Sequence, residues 1–306
     1  MSELRVRIEL AKLANDLDVD VEELSFLAPM SPDQLRDLRT RVTRALYAPH
    51  ENRFRRVASF GRVVPVPLAA KGTEVALGPL VAARIAAVAD PAHAVKVSGH
   101  TNPEFLSRMT PHLDPSRVSD IVSRLDEELV VEVGHLTMKR QEYIPLARFV
   151  SYVPVSWALR VVADAPPLDL LRTALYAEDL DALDRIIAEV PEDRLEDVLV
   201  TAAEADELDD ALTLLELISV PSRVRVVKIA QGLDDSVRDS LIRAVHANDA
   251  WEALVPVLES LETDEVHRVL DVPAIREPGV RERLAEVVAD DPTARRVYDE
   301  VAPRLS

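Results

Sequence analysis

Short amphipathic helical segments, separated by prolines and acidic residues, are the strongest constraint on how this chain can fold. Residues 180–190 are typical, because their apolar side chains recur at steps of three and four: Leu180, Leu183, Ile186, Ile187 and Val190. That spacing places them on one face of a helix. From residue 79 onward, similar segments of ordinary helix length follow one another with short links. The pattern predicts an all-α protein.

Prolines and capping residues mark where these helices begin. Prolines precede or open the segments at Pro32, Pro103, Pro115, Pro154, Pro191 and Pro221. A proline in the first turn removes no intrahelical hydrogen bond, so it is tolerated there. Ser31, Asn102 and Asp114 stand directly before three of these prolines, and their residue types cap helix N-termini. We therefore expect helices to begin just after these three residues.

The openings of successive segments align as a degenerate repeat. The equivalent positions are Arg117, Trp157, Arg194, Arg223 and Glu265, separated by 40, 37, 29 and 42 residues. Paired helices that recur at about 40 residues are typical of an α-solenoid of stacked helical hairpins, as in HEAT-like repeats. Each hairpin buries only one face by itself, and the next hairpin completes the core.

Three regions follow from this pattern. We predict that residues 1–45 form a small N-terminal helical cap and that residues 79–306 form the helical-repeat solenoid. Between them, residues 46–78 contain a valine–proline alternation and clustered arginines. Because proline interrupts regular hydrogen bonding, we predict that this region is an extended Pro/Arg-rich connector, with room for a short strand, that lies along the repeats.

Composition narrows the classes of function. The 306 residues include 54 acidic and 36 basic side chains, for a net charge of −18. That charge opposes general binding to nucleic acid and to anionic membranes. The absence of cysteine excludes disulfides, thiolate zinc sites and cysteine nucleophiles. No apolar run approaches the ~20 residues that span a bilayer, and the N-terminus lacks a signal-peptide core, so we expect a cytoplasmic protein.

The segments FLSRMTPHLDPSRVSDIVSRLDEELVVEVGHL and LDRIIAEVPEDRLEDVLV carry a family resemblance. Their rhythm of leucines, prolines and acids resembles the intracellular N domain of MgtE-type magnesium transporters, a superhelix of short helices. The resemblance covers roughly residues 100–270. It implies a superhelical acidic scaffold that could respond to divalent cations. The CBS and membrane domains of those transporters are not evident here, so transport is not implied.

Two acidic clusters could hold Mg²⁺ or Ca²⁺ through carboxylate oxygens. One is the run EADELDD at residues 204–210, and the other contains Asp179, Asp181 and Asp184. Neither has the spacing or the turn glycine of an EF-hand loop. Solvated loops and helix first turns, where acids favour the helix dipole, explain both clusters more simply. The sequence therefore leaves metal binding unknown.

The polar stretch SGHTNPEFL, residues 98–106, interrupts the helical pattern. His100 and His112 are its candidate small-molecule ligands, and with His93, His135 and Glu104 they could form a metal or acid–base site. The spacing of these histidines matches no known ligand set, and capping or packing is the simpler reading of each. Asn102 is expected to cap the next helix.

Residues 51–63, ENRFRRVASFGRV, combine arginines with two phenylalanines. Basic and aromatic side chains together could suit single-stranded nucleic acid. The surrounding sequence is acidic, however. We therefore favour a docking strip that neutralises the negative repeats of the protein itself.

Aromatic residues are scarce in the chain, yet Tyr152, Trp157 and Tyr176 lie near Arg148 in the sequence. Tyrosine, tryptophan and arginine dominate binding hot spots, so these four residues are the predicted partner-binding patch. The alternative is that they form core between adjacent hairpins.

These features favour a non-enzymatic cytoplasmic scaffold or adaptor. Its acidic helical-repeat surface would bind a protein partner through a basic or amphipathic segment. Two other classes stay open. One is an Mg²⁺-responsive regulatory domain, and Mg²⁺ is the one cofactor that the sequence suggests. The other is a small-molecule-binding protein or enzyme that uses the region around His100. The sequence does not indicate an oligomeric state.

Overall fold

A computed structural model of the protein describes residues 2–47, 51–61, 63–289 and 291–301. Over these ranges the structure consists of helices and their links, and no residue lies in a strand. The prediction of an all-α protein is confirmed. The chain divides into two compact units. Unit 1 comprises residues 1–165 and 176–179, and unit 2 comprises residues 166–175 and 180–306.

The helices of unit 1 are short, except at its N-terminus. They are α1 (Ser2–Leu17), α2 (Pro32–Tyr47), α3 (Glu51–Gly61), α4 (Val66–Gly72), α5 (Gly78–Ala86), α6 (Pro91–Ser98), α7 (Pro103–Met109), α8 (Pro115–Val122), α9 (Glu127–Lys139), α10 (Tyr143–Ala147) and α11 (Val155–Asp164). Short 3-10 turns occupy Val21–Leu27, Thr110–His112 and Val150–Tyr152, and a π-helical turn occupies Thr73–Leu77.

The helices of unit 2 are also short. They are α12 (Pro167–Leu175), α13 (Leu180–Glu189), α14 (Glu192–Glu204), α15 (Leu208–Leu217), α16 (Val220–Ala230), α17 (Asp235–Ala247), α18 (Val255–Ser260), α19 (Thr263–Leu270), α20 (Pro278–Ala289) and α21 (Pro292–Val301). Two 3-10 turns, Ala250–Ala253 and Pro273–Arg276, lie between them.

The predicted helix starts are confirmed by their caps. The Ser31 hydroxyl accepts the backbone N–H of Gln34 at 3.3 Å, and the Gln34 side chain accepts the N–H of Ser31 at 2.9 Å. The side chains of Asn102 and Asp114 accept backbone N–H groups two residues ahead, at 2.8 and 3.1 Å. Each cap satisfies donors that the first turn of a helix leaves without an intrahelical partner.

The prediction of an extended connector at residues 46–78 is wrong for the part that the structure describes. Residues 51–61 form α3, and residues 66–77 form α4 and the π-helical turn; positions 48–50 and 62 lie outside the described residues. The prolines do not prevent helix formation, because Pro65 stands at the N-cap of α4 and Pro67 in its first turn. The domain boundaries at residues 45 and 78 remain predictions.

The five aligned repeat positions all fall in the first turn of a helix. They lie in α8, α11, α14, α16 and α19. Their side chains nevertheless make different contacts. Arg117 pairs with Asp114, and Arg194 pairs with Asp197 on its own helix. Arg223 instead donates to the backbone carbonyls of Ile218 and Glu216, at 3.0 and 2.7 Å. The repeat therefore preserves helix position rather than a common contact.

Within each unit, a helix packs mainly against the helix two places along the chain. In unit 1, α3 packs on α5, α5 on α7, α7 on α9, and α9 on α11. In unit 2, α12 packs on α14, α14 on α16, and α16 on α18. This serial packing covers the apolar face of each short helix with the next hairpin, as expected for helical repeats.

Polar contacts in unit 2 bridge residues about one repeat apart. The Asp184 carboxylate accepts the backbone N–H of Ser219 at 3.1 Å, and the Asp239 carboxylate accepts the N–H of Ala274 at 2.6 Å. Both pairs are 35 residues apart. In each pair a carboxylate satisfies a backbone donor at or beside a helix start.

We expect Asp184→Ala to lower the free energy of unfolding by about 1–2 kcal/mol, because it leaves the N–H of Ser219 without its acceptor. Asp181→Ala is the matched control, since Asp181 lies on the same helix and is exposed. The control should change stability by no more than ~0.5 kcal/mol. Urea unfolding followed by circular dichroism measures both values. Equal effects would contradict a bridging role for Asp184.

Candidate functional site

Large apolar side chains are exposed on α3, α4, α5 and the turns between them. These side chains, which we call the α3–α5 surface, belong to Val57, Phe60, Val63, Val64, Leu68, Val75, Leu80 and Val81. Phe60 is 72% exposed, Val75 74% and Val63 82%. Within the described residues, the other large exposed apolar side chains lie in residues 19–26.

Helix geometry explains why this surface faces outward. Phe54, Ala58 and Gly61 recur at steps of four and three, so they share the inner, half-buried face of α3, which packs on α5. Phe60 lies about a third of a turn away from this face. Val57, three residues after Phe54, lies at the edge of the face and is 48% exposed. In α5, the buried Ala82 and Ala83 pack in one core with Phe105 and Met109, which leaves Leu80 and Val81 outside.

A hydrogen bond between a glutamate side chain and a backbone N–H fixes the π-helical turn between α4 and α5. Glu74 Oε1 accepts the N–H of Asn102 at 2.7 Å, across 28 residues of sequence. This bond from the Asn102 backbone holds the pKa of Glu74 below its ordinary value. It ties the π-helical turn that carries Val75 to the start of α7, so the position of the exposed valine is defined by the fold.

The segment that carries the α3–α5 surface is basic, whereas the protein as a whole is acidic. Residues 51–81 contain five Lys/Arg and two Asp/Glu, a charge of +3, so the rest of the chain carries −21. Arg53 and Arg56 are exposed on the outer side of α3, close in sequence to Val57 and Phe60. Arg55 is engaged with Glu51 at 2.6 Å. Apolar and cationic groups therefore occur together on one surface.

A second polar feature of unit 1 is a buried ion-pair network around Arg39. The Arg39 guanidinium meets Glu178 Oε1 at 2.5 Å, Glu9 Oε2 at 3.6 Å and Asp16 Oδ2 at 4.0 Å. Arg148 adds a 2.9 Å bond to Asp16 and lies 3.9 Å from Glu178. The side chains of Arg39, Asp16 and Arg148 are 9%, 7% and 11% exposed. The network joins α1, α2, residue 148 and the segment 176–179.

Lys12 completes this network. Its Nζ lies 3.5 Å from Glu9 Oε1, and both side chains are almost fully buried. Burial lowers the pKa of Lys12, although the Glu9 carboxylate opposes that effect. Glu9, Asp16 and Glu178 thus face Lys12, Arg39 and Arg148, so the charges of the network balance, and Glu178 is its most exposed member at 38%. Such a balanced network is suited to positioning helices rather than to chemistry on a substrate.

The predicted partner-binding patch is divided between two environments. Arg148 is committed to the buried network, so its guanidinium does not stand free on a surface. Tyr152, Trp157 and Tyr176 are half-buried. Burial raises the pKa of Tyr152, and the carboxylates of Asp114 and Glu178 add to the effect. Tyr152 therefore lies beside the same network, while a partner-binding role of the patch stays a prediction.

The histidines occupy separate local environments. His100 is exposed, and its Nδ1 lies 3.0 Å from the carbonyl of Lys96. His112 is half-buried, and burial lowers its pKa against the opposing carboxylates of Asp18 and Glu142. His135 Nε2 lies 3.2 Å from the carbonyl of Val161, and the backbone N–H of His93 completes the cap made by Asp90. A small-molecule role for His100 and His112 remains a prediction.

Acidic side chains of both clusters contact other helices of unit 2. Glu207 pairs with Arg172, Asp209 accepts from Asn248 at 2.7 Å, and Asp184 caps Ser219. In the portion of the chain that the structure describes, no group of three or more Asp, Glu or His side chains is arranged to hold a metal ion. Three of the acids that the sequence marks as possible ligands, Asp184, Glu207 and Asp209, are thus engaged with protein groups.

No protein-family model matches this chain, and no curated protein or solved structure matches it either. None of the described helices is long and apolar enough to cross a membrane. Surfaces and contacts are therefore the features from which a function can be inferred. Of these, sequence reasoning missed the α3–α5 surface. The available signal was that residues 57–81 hold more large apolar side chains than short helices can bury on one face.

We expect Arg39→Met to lower the free energy of unfolding by about 3–5 kcal/mol, because it leaves Glu9, Asp16 and Glu178 without their shared cation. Arg36→Met is the control, since Arg36 also pairs with Glu9 but its side chain is 58% exposed. The control should cost no more than ~1 kcal/mol. Chemical unfolding of both variants measures the difference. Similar losses of unfolding free energy would show that the buried Arg39 contributes no more than the exposed Arg36.

Acid should weaken the network through Glu178. Burial raises the pKa of this carboxyl, but the charge and hydrogen bonds of Arg39 outweigh it, so the pKa lies below its ordinary value. The stabilisation is therefore present above the unfolded pKa of about 4.3 and is lost as pH falls through the lower, folded value. Wild type should exceed Glu178→Gln in stability at pH 7, and the gap should close below about pH 4. A gap that persists undiminished well below pH 4 would contradict this.

Proposed function

We propose that this protein is a non-enzymatic adaptor built from helical repeats, and that the α3–α5 surface docks an amphipathic segment of a protein partner. The observation that carries the proposal is the exposure of eight large apolar side chains on neighbouring elements of unit 1. Soluble chains seldom expose this many large apolar side chains on neighbouring elements unless they bind something there. Covering a Phe or Leu side chain stabilises a complex by about 1.5–3 kcal/mol.

Charge complementarity defines the partner further. The α3–α5 surface carries exposed Arg53 and Arg56 beside its apolar residues, within a segment of net charge +3. A helix with an apolar stripe and acidic flanks would match both properties. The amphipathic partner expected from the sequence is retained, with acidic rather than basic flanks at this surface. A second copy of the chain is the competing occupant.

The architecture that would present this surface is an α-solenoid. Support comes from the packing of helices two places apart within each unit, and from polar contacts between residues 35 apart. Both are typical of HEAT-like repeats. The similarity to the N domain of MgtE-type transporters rests on the sequence pattern alone, and it is retained as a hypothesis about this superhelix.

The acidic repeat surface is the alternative docking site for the same function. There, Tyr152, Trp157 and Tyr176 would contact a basic or amphipathic segment. Their half-buried state supports this site less well than the exposure of Phe60 or Leu68 supports the α3–α5 surface. The divalent-cation and His100-based functions remain hypotheses, and no arrangement of side chains described here favours either of them.

Two synthetic helices of about 18 residues would test the docking proposal. They share one leucine stripe, and one carries glutamates on its flanks while the other carries lysines. By fluorescence anisotropy, the glutamate helix should bind the full chain, and added salt should weaken binding. Phe60→Ser and Leu68→Ser should each raise the Kd at least about tenfold. Both side chains are exposed, so these variants should fold normally.

Tyr152→Ser and Trp157→Ser are the matched variants on the alternative site. The proposal expects them to bind the glutamate helix like wild type. Preference for the lysine helix, lost in those two variants, would move the docking site to the acidic surface. Sedimentation that shows a dimer disrupted by Phe60→Ser would assign the α3–α5 surface to a second copy. Either result contradicts the proposal.

A further inference from the structure

Two serines of the chain share one local sequence pattern. Among all its serines and threonines, only Ser59 and Ser151 have a lysine or arginine three residues before them, Arg56 and Arg148 respectively. An aromatic residue directly follows each of these serines. Protein kinases select substrates partly by the charge pattern around the hydroxyl that they modify. By sequence, the two serines are therefore equivalent candidates for an arginine-directed serine kinase.

The arginine that precedes Ser151 is not accessible in the fold. Arg148 bonds to Asp16 at 2.9 Å, and its side chain is 11% exposed. It also lies 3.9 Å from Glu178. A kinase could engage this guanidinium only by removing it from the buried charge network, which would leave its acidic partners without their cation. The pattern at Ser151 is therefore present in the sequence but not on the surface.

At Ser59 the same features are exposed on α3. Ser59 and Arg56 are both exposed, and Phe60 is 72% exposed. Arg55, four residues before Ser59, has a side chain that is 59% exposed. Residues three and four apart are neighbours on a helix surface, so both guanidinium groups share one side of α3 with the Ser59 hydroxyl. Only this serine presents the complete pattern to an enzyme in solution.

Helix α3 is also held by few buried contacts. Among residues 51–61, all of which the structure describes, no side chain is buried. Ser59 lies in the last turn, where backbone carbonyls lack the partners of the helix interior. Segments with few buried apolar contacts open locally at a low cost in free energy. Such opening would allow residues 56–60 to extend into the cleft of a kinase.

We propose that Ser59 is a phosphorylation site of an arginine-directed serine kinase, and that its phosphate switches off docking at the α3–α5 surface. In the transfer, Ser59 Oγ forms a bond to the γ-phosphorus of a nucleoside triphosphate. The bond from that phosphorus to the leaving nucleoside diphosphate breaks, and the hydroxyl proton passes to a base of the kinase. The hydroxyl gives up the 2.7 Å bond that it donates to the carbonyl of Arg56. The switch rests on the docking function proposed above, whereas the site does not.

The phosphate would oppose docking through its charge. Since phosphoserine carries about −2 at pH 7, the net charge of residues 51–81 would fall from +3 to about +1. Arg55 and Arg56 precede Ser59 by one turn, so they would pair with the phosphate oxygens instead of with the acidic flanks of a partner. Val57 and Phe60 are close to Ser59 on α3, so covering them would also desolvate the dianion, at a cost in free energy.

The site is tested on the full chain with ATP, Mg²⁺ and a purified serine kinase that selects arginine three residues before its acceptor. Mass spectrometry should find phosphate on Ser59 and not on Ser151. Arg56→Gln should slow the modification of Ser59 at least about tenfold. Arg41→Gln, at an exposed position of α2, is the control and should not change it. Equal modification of Ser59 and Ser151, or modification of neither, would overturn the site.

The switch is tested with the glutamate helix by fluorescence anisotropy. The phosphorylated chain should bind it at least about tenfold more weakly than the unmodified chain, and added salt should narrow the difference. Ser59→Ala treated with the same kinase is the control and should bind like the unmodified chain. Equal binding of the phosphorylated and unmodified chains would refute the switch alone. If the unmodified chain does not bind the helix, the docking function and the switch both fail, and the kinase assay still decides the site.

Discussion

A helix of two or three turns cannot bury its apolar face alone, and this limit determines most of the structure. In both units much of the solution is the same, because many of the short helices pack on the helix two places further along the chain. Proline and capping residues allow this by ending one helix and starting the next within a few residues. The large apolar side chains that stay exposed in the described part of unit 1 lie on faces that this packing does not cover, on α3–α5 and in residues 19–26.

Ion pairs over long sequence distances supply a second constraint. Arg148 meets Asp16 across 132 residues, and Arg39 meets Glu178 across 139. These bonds explain why the segment Tyr176–Asp179 belongs to unit 1 although the residues on both sides of it belong to unit 2. A charge network buried to this degree contributes geometry, because removing one member leaves its partners buried and unpaired.

The sequence predicted local features well. Ser31, Asn102 and Asp114 cap helices as expected, and all five aligned repeat positions open helices. These features depend on a few adjacent residues. The prediction of an extended connector was wrong because prolines next to a helix start resemble those of an irregular segment. The role of Arg148 depends on which residues meet in space, and neither spacing nor composition encodes that. For the α3–α5 surface, the excess of large apolar residues in 57–81 was a signal in the sequence, but it does not say which of them stay exposed.

The proposed docking face, the α3–α5 surface, belongs to unit 1. The central claim is that the chain meets its partner through α3–α5. Photo-crosslinking in the native cell tests it most directly, with benzoylphenylalanine placed in turn at positions 60, 68, 152 and 157. The account predicts adducts with another protein from positions 60 and 68. Adducts only from positions 152 and 157, or only with a second copy of the chain, would contradict it.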